Sequence, residues 1–78
     1  MNKKLYRAKE TFTLGKNGFE VLNGKIVELE FIRIDAERGV CFKITRERYS
    51  YDDQYFACYC YKKEVDILEK NLEEIFLD

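Results

Sequence analysis

The chain contains no histidine, no tryptophan and no proline. The missing histidine removes the commonest general base near neutral pH and a common metal ligand. No run approaches the ~20 apolar residues needed to span a bilayer. The basic opening, Met1 to Arg7, is not followed by an apolar stretch, which excludes a secretory signal and makes a cytoplasmic protein the expectation. Three cysteines, an odd number, do not suggest a disulfide framework. Cys58 and Cys60 share a face if they lie on a strand, but i, i+2 spacing suits a disulfide poorly. No phosphate-cradling loop is present, because Gly15-Lys16-Asn17-Gly18 lacks the P-loop spacing and a following helix.

What remains is a single domain of 78 residues, 46% apolar and 37% charged. At this size roughly 60–65% of the unfolded surface can be buried, so one modest core forms and a deep catalytic cleft does not. The net charge of −1 hides an asymmetry. Residues 1–48 carry eleven Lys/Arg against seven Asp/Glu, and residues 49–78 carry three against eight. The segregation fits an ordinary solvated surface first, and an acidic end that meets a basic partner second.

Hydrophobic alternation predicts five strands, at about 4–14, 18–22, 25–35, 40–47 and 54–61, with a helix at about 63–76. In the first, Tyr6, Ala8, Phe12 and Leu14 share one parity, with Glu10 as the exception. Asn23-Gly24 is a strong hairpin signal and predicts a tight turn from the second strand into the third. Within the third, Val27, Leu29 and Phe31 hold one parity and Ile32 and Ile34 the other. A switch at Phe31–Ile32 implies a β-bulge or a bend that curls the sheet. Asp35 to Gly39 is a polar turn leading into Val40–Thr45, where Val40, Phe42 and Ile44 point inward and Cys41 outward.

Residues 54–61 read as a strand on their density of Tyr, Phe and Cys, although Asp52 or Asp53 as N-cap keeps a helix open. Val65, Leu68, Leu72 and Ile75 then recur at helical spacing, with Glu64, Glu69, Glu73 and Glu74 on other faces. An alternative ends that helix near Asn71, with an αL cap there and Leu72–Leu77 as an edge strand. The fold class is therefore α+β: a strongly bent, five-stranded antiparallel sheet or small barrel with a C-terminal amphipathic helix.

Leu5-Tyr6-Arg7-Ala8, a loop, and then Phe19 to Leu29 with Gly24 between apolar positions resemble the opening strand and diverging turn of SH3-like small barrels. The match covers about residues 4–45. The family's tryptophan after the central strand and its groove proline are absent, so the resemblance implies a fold and no proline-rich ligand or functional residue. In general composition the chain is similar to small accessory proteins of bacteriophages.

Catalysis has little to stand on. The cysteines lack a histidine partner, and Asp52-Asp53 and Glu73-Glu74 read as solvated acids. Tetrahedral zinc needs four ligands, and one Cys-x-Cys with a distant Cys41 leaves the set short. No metal or cofactor is expected, and the chain does not read as an enzyme. Two binding readings remain. In the first, Tyr55, Tyr59 and Tyr61 on one face, with Glu69, Glu73 and Glu74, contact another protein that has a basic surface. A phage-type inhibitor or modulator of a host nucleic-acid-handling protein fits that description. In the second, Arg7, Arg46 and Arg48 with Tyr49 and Tyr51 bind nucleic acid by phosphate pairing and base stacking. A pI of about 5.5 weighs against it.

Overall fold

A computed structural model describes residues 3–15 and 18–75. In chain order the elements are β1 (Lys3–Ala8), β2 (Phe12–Leu14), β3 (Phe19–Val21), β4 (Ile26–Asp35), β5 (Gly39–Arg46), β6 (Ala57–Cys60), α1 (Lys62–Asn71) and β7 (Leu72–Glu74). Five strands form one antiparallel sheet in the order β6-β5-β4-β1-β7, and β2 and β3 form a separate hairpin. This is a small α+β fold.

The best-marked local unit is the β4–β5 hairpin. Asp35 Oδ1 accepts the N–H groups of Glu37 (2.9 Å) and Arg38 (3.1 Å), which closes the turn. Gly39 completes it at φ +81°, a left-handed conformation that costs other residues about 1–2 kcal/mol. Further along, Phe31 pairs with Phe42 and Arg33 with Cys41, leaving Ile32 as the extra residue of a β-bulge. The parity switch thus marks a real irregularity. It does not bury Ile34, which is 73% exposed near the hairpin tip.

Three expectations change. The run 4–14 is two strands, because Lys9, Glu10 and Thr11 are exposed and interrupt the pairing. The parity exception at Glu10 falls inside this break. Asn23-Gly24 does form a turn, with Lys25 N–H donating to Leu22 O at 3.0 Å. The strands it joins do not pair, however. β3 pairs with β2, burying Phe19 and Val21 beside Phe12 and Leu14, while β4 pairs with β1. The turn is a corner between two sheets. Finally, the helix ends at Asn71, and its last turn is closed without an αL residue: Asn71 Nδ2 donates to Ile67 O (2.8 Å) and Leu72 N–H to Leu68 O. Leu72–Glu74 then pairs with β1 as an edge strand. Residues 54–61 hold a four-residue strand and no helix. Lys16 and Asn17 of the glycine-flanked turn, and Phe76 to Asp78, lie outside the described residues.

At the start of α1, Glu64 accepts the Tyr61 N–H with Oε2 (3.1 Å), and its own N–H donates to Tyr61 O (2.8 Å). This satisfies two of the donors that every helix start leaves open. The apolar stripe of α1 then lies on one face of the large sheet. Leu68 and Leu72 join Ala8, Val27, Ile44 and Cys60 in the core, with Phe12, Leu14, Phe19 and Val21 of the hairpin. Val21, Val27 and Ile44 have at most 1% of their surface exposed. Burying each contributes about 1.5–3 kcal/mol before entropy is counted.

Candidate functional site

The inner face of the sheet is not fully covered, and element lengths explain why. A ten-residue helix such as α1 extends about 15 Å, whereas the ten residues of β4 extend about 33 Å. Val27 and Ile44 share one buried cluster with Phe12, Leu14, Phe19 and Val21 of the β2–β3 hairpin and with Leu68 of α1. Toward the bulge, the inner face stays open as a groove of about 460 Å³. Tyr6, Leu29, Phe31 and Phe42 form its floor, and Val65 and Leu68 of α1 with Leu72 of β7 its wall. Phe31 and Phe42 meet edge to face, with ring centroids 6.2 Å apart and planes at 75°. Two charged side chains stand at the rim, Lys4 and Glu69. Lys4 Nζ lies 3.5 Å from Glu74 Oε1 on β7.

Of the expected protein-binding set, Glu69 therefore lines this groove, and Glu74 adjoins it only through its ion pair with Lys4. Glu73 does not join them, since it pairs with Arg7 on the outer face at 4.0 Å. Tyr59 also lies on the outer face, opposite Lys43, and is 53% exposed. Tyr55 precedes β6 and is 54% exposed. Tyr61 is half-buried beneath Arg38, whose guanidinium sits 4.9 Å from the ring centroid. Its hydroxyl accepts a hydrogen bond from Arg33 Nη2 at 3.2 Å. The helix covers the opposite face from Tyr59 and Tyr61, so these tyrosines and the groove are separate surfaces.

The residues expected for nucleic acid are dispersed and largely occupied. Arg46 is buried, its side chain 6% exposed, in the end of β5 that faces the hairpin. Its guanidinium lies between the rings of Tyr49 (4.0 Å) and Phe19 (5.2 Å). Nη1 donates to Glu47 O (2.9 Å), Nη2 to Tyr55 O (2.7 Å), and both to the Asp53 carboxylate. Asp53 also accepts the N–H groups of Tyr49 (3.0 Å) and Tyr55 (3.1 Å). The Arg46 hydrogen bond, reinforced by those amides, holds the Asp53 carboxyl well below the usual carboxylate range. One buried ion pair thus fastens both ends of the loop between β5 and β6. Arg48 packs over Phe56 at 4.1 Å and donates to Asp53 O at 3.0 Å. Tyr49 Oη accepts the Leu22 N–H at 3.0 Å. Tyr51 is fully exposed, and Arg7 is on β1 at the far side of the sheet.

Cys41 does point away from Ile44, yet it is fully buried. The strand order explains this. Arg33 is its partner on β4, and Tyr61 lies one residue past the Phe42–Cys60 pair on the other side. The Arg33–Tyr61 hydrogen bond therefore crosses above the cysteine. Cys60 is buried on the inner face, where desolvation pushes its thiol up, and burial also raises Cys58. Neither is an activated nucleophile. Among the described residues no three His, Cys, Asp or Glu side chains are grouped to hold a metal, and no helix is long and apolar enough to cross a membrane.

The groove residues Tyr6, Leu29, Phe31 and Phe42 were readable as core-parity positions. Their exposure was not, because it depends on where the helix stops. The chain matches no known family, and no curated protein or solved structure shows significant similarity to it.

Proposed function

We propose that the chain is a small, non-enzymatic protein-binding module, working through the groove between α1 and the bulged end of β4–β5. The observation that carries this reading is an aromatic-floored apolar cleft left open by a helix too short to fill it. Aromatic residues and apolar pockets ringed by polar side chains are where interface energy concentrates. Glu69 at the rim, with Lys4 turned to Glu74, favours a partner with a basic surface. An inhibitor or modulator of a nucleic-acid-handling host protein, of the phage accessory type, is the most specific form of the proposal.

The test is affinity capture from nuclease-treated lysate of the source cells, comparing wild type with Phe31→Ser and Glu69→Lys. Glu69 is exposed and Phe31 is 36% exposed, and circular dichroism of each variant against wild type checks that the fold is kept. A partner held by wild type and lost by both variants is the expected result. Equal capture by all three proteins overturns the assignment of the groove.

A further inference from the structure

The groove gathers three aromatic rings and one carboxylate: Tyr6, Phe31, Phe42 and Glu69. The two phenylalanine rings stand nearly perpendicular and do not stack. Elsewhere in this protein such rings are occupied by cations. Arg38, Arg46 and Arg48 each lie over an aromatic ring at 4.0–5.2 Å. In the groove, among the described residues, no guanidinium or ammonium of the chain lies over a ring. Its lining lysine, Lys4, reaches instead to Glu74. Nor does Glu69 have a cation within 4.0 Å among those residues.

We infer that the groove takes an arginine or lysine side chain presented by a partner protein. The inference rests on the protein-binding reading and supplies its chemistry. The aliphatic stem of such a side chain lies on Leu29 and Val65, as long cationic side chains cover apolar surface readily. Its charged head meets the ring faces and the Glu69 carboxylate. Charge complementarity selects this occupant over the alternatives. An apolar anchor gains nothing from the exposed Glu69 carboxylate beside it. An acidic anchor adds repulsion from Glu69, while the lining cation Lys4 is already paired with Glu74. A cation gains from the quadrupoles of the rings and from the carboxylate together.

The experiment is a 15N–1H chemical-shift titration of the whole chain with Gly/Ser peptides carrying a central Leu-Arg-Leu, Leu-Lys-Leu, Leu-norleucine-Leu or Leu-Glu-Leu. The arginine and lysine peptides should shift Leu29, Phe42, Val65 and Glu69 saturably. Phe42→Leu keeps the apolar volume but loses the ring, and weakens them about three- to thirty-fold. Glu69→Gln weakens them about two- to fivefold, less so at high salt. Equal binding of the norleucine peptide, shifts confined to another surface, or wild-type affinity in Glu69→Gln would each overturn the inference. Silence toward all four peptides overturns it too. The protein-binding reading is judged separately, by whether partner capture depends on Phe31 and Glu69.

Discussion

Replacing Arg46 by methionine isolates the ion pair that fastens the β5–β6 loop. Methionine has similar length and keeps contact with Phe19 and Tyr49, so the loss is chiefly of charge and hydrogen bonds. Arg46 donates to two backbone carbonyls and to the Asp53 carboxylate, and its side chain is 6% exposed. Removing one partner of a buried pair costs about 3–5 kcal/mol. The lower end applies, because the carboxylate left behind keeps two backbone N–H donors and some contact with solvent. A loss of about 3 kcal/mol corresponds to a fall in Tm of about 12–24 °C for a domain of this size. It would consume a large share of the ~4–12 kcal/mol that such a domain possesses. Thermal and urea melts followed by circular dichroism measure it. A second variant, Arg46→Met with Asp53→Leu, should recover part of the loss, since replacing both partners removes the stranded charge. A single variant melting within 4 °C of wild type would show that the pair is not a structural fastening. So would a double variant less stable than the sum of its parts.

Two further outcomes concern pH and backbone. The folded-state pKa of Asp53 is depressed below its unfolded value of about 3.9, so its contribution is fully present above about pH 5 and is lost as pH falls from there. Asp35, lowered by the Glu37 and Arg38 amides, acts in the same direction. Asp53→Asn should therefore flatten the acid limb of a stability–pH curve between about pH 5 and pH 2, and a curve parallel to wild type contradicts the assignment. Gly39→Ala must adopt φ +81° with its methyl 3.2 Å from Lys62 Cβ, and should lose about 1–2 kcal/mol or more in urea melts. No measurable loss would mean that the turn relaxes.

How much of this was legible varied with the range of the interaction. The β4–β5 hairpin and its bulge were readable because both are written in local parity, at Phe31–Ile32, and in local turn chemistry, at Asp35–Gly39. The pairings of β1 with β4 and β7 were not, because nothing local to Lys3–Ala8 names a partner some 20 or 65 residues away. Asn23-Gly24 misled for the same reason. Its turn is local, but which strands flank it as a pair depends on the buried faces of Phe19 and Val21. Arg46 is the sharpest case at the candidate site. An arginine beside tyrosines looks like a solvent-facing nucleic-acid contact, and only the return of the chain at Asp53 makes it an interior residue. The groove required knowing that α1 stops at Asn71, where Leu72 turns into β7.

The position of β1 also sets an order of events in folding. The β4–β5 hairpin, closed by three residues, forms on the microsecond scale of local pairing. The seam between β1 and β7 joins opposite ends of the described chain and carries the highest loop-closure cost in the sheet. It should therefore zip last, leaving β1 an unsealed edge in the transition state. Substitutions along β7 would then accelerate unfolding while leaving the folding rate nearly unchanged, and those at the Asp35–Gly39 turn would slow folding. A chain whose seam remains open exposes a strand edge to pairing with its neighbours. Pairing with β7, a short strand carrying Glu73 and Glu74, closes that edge of β1.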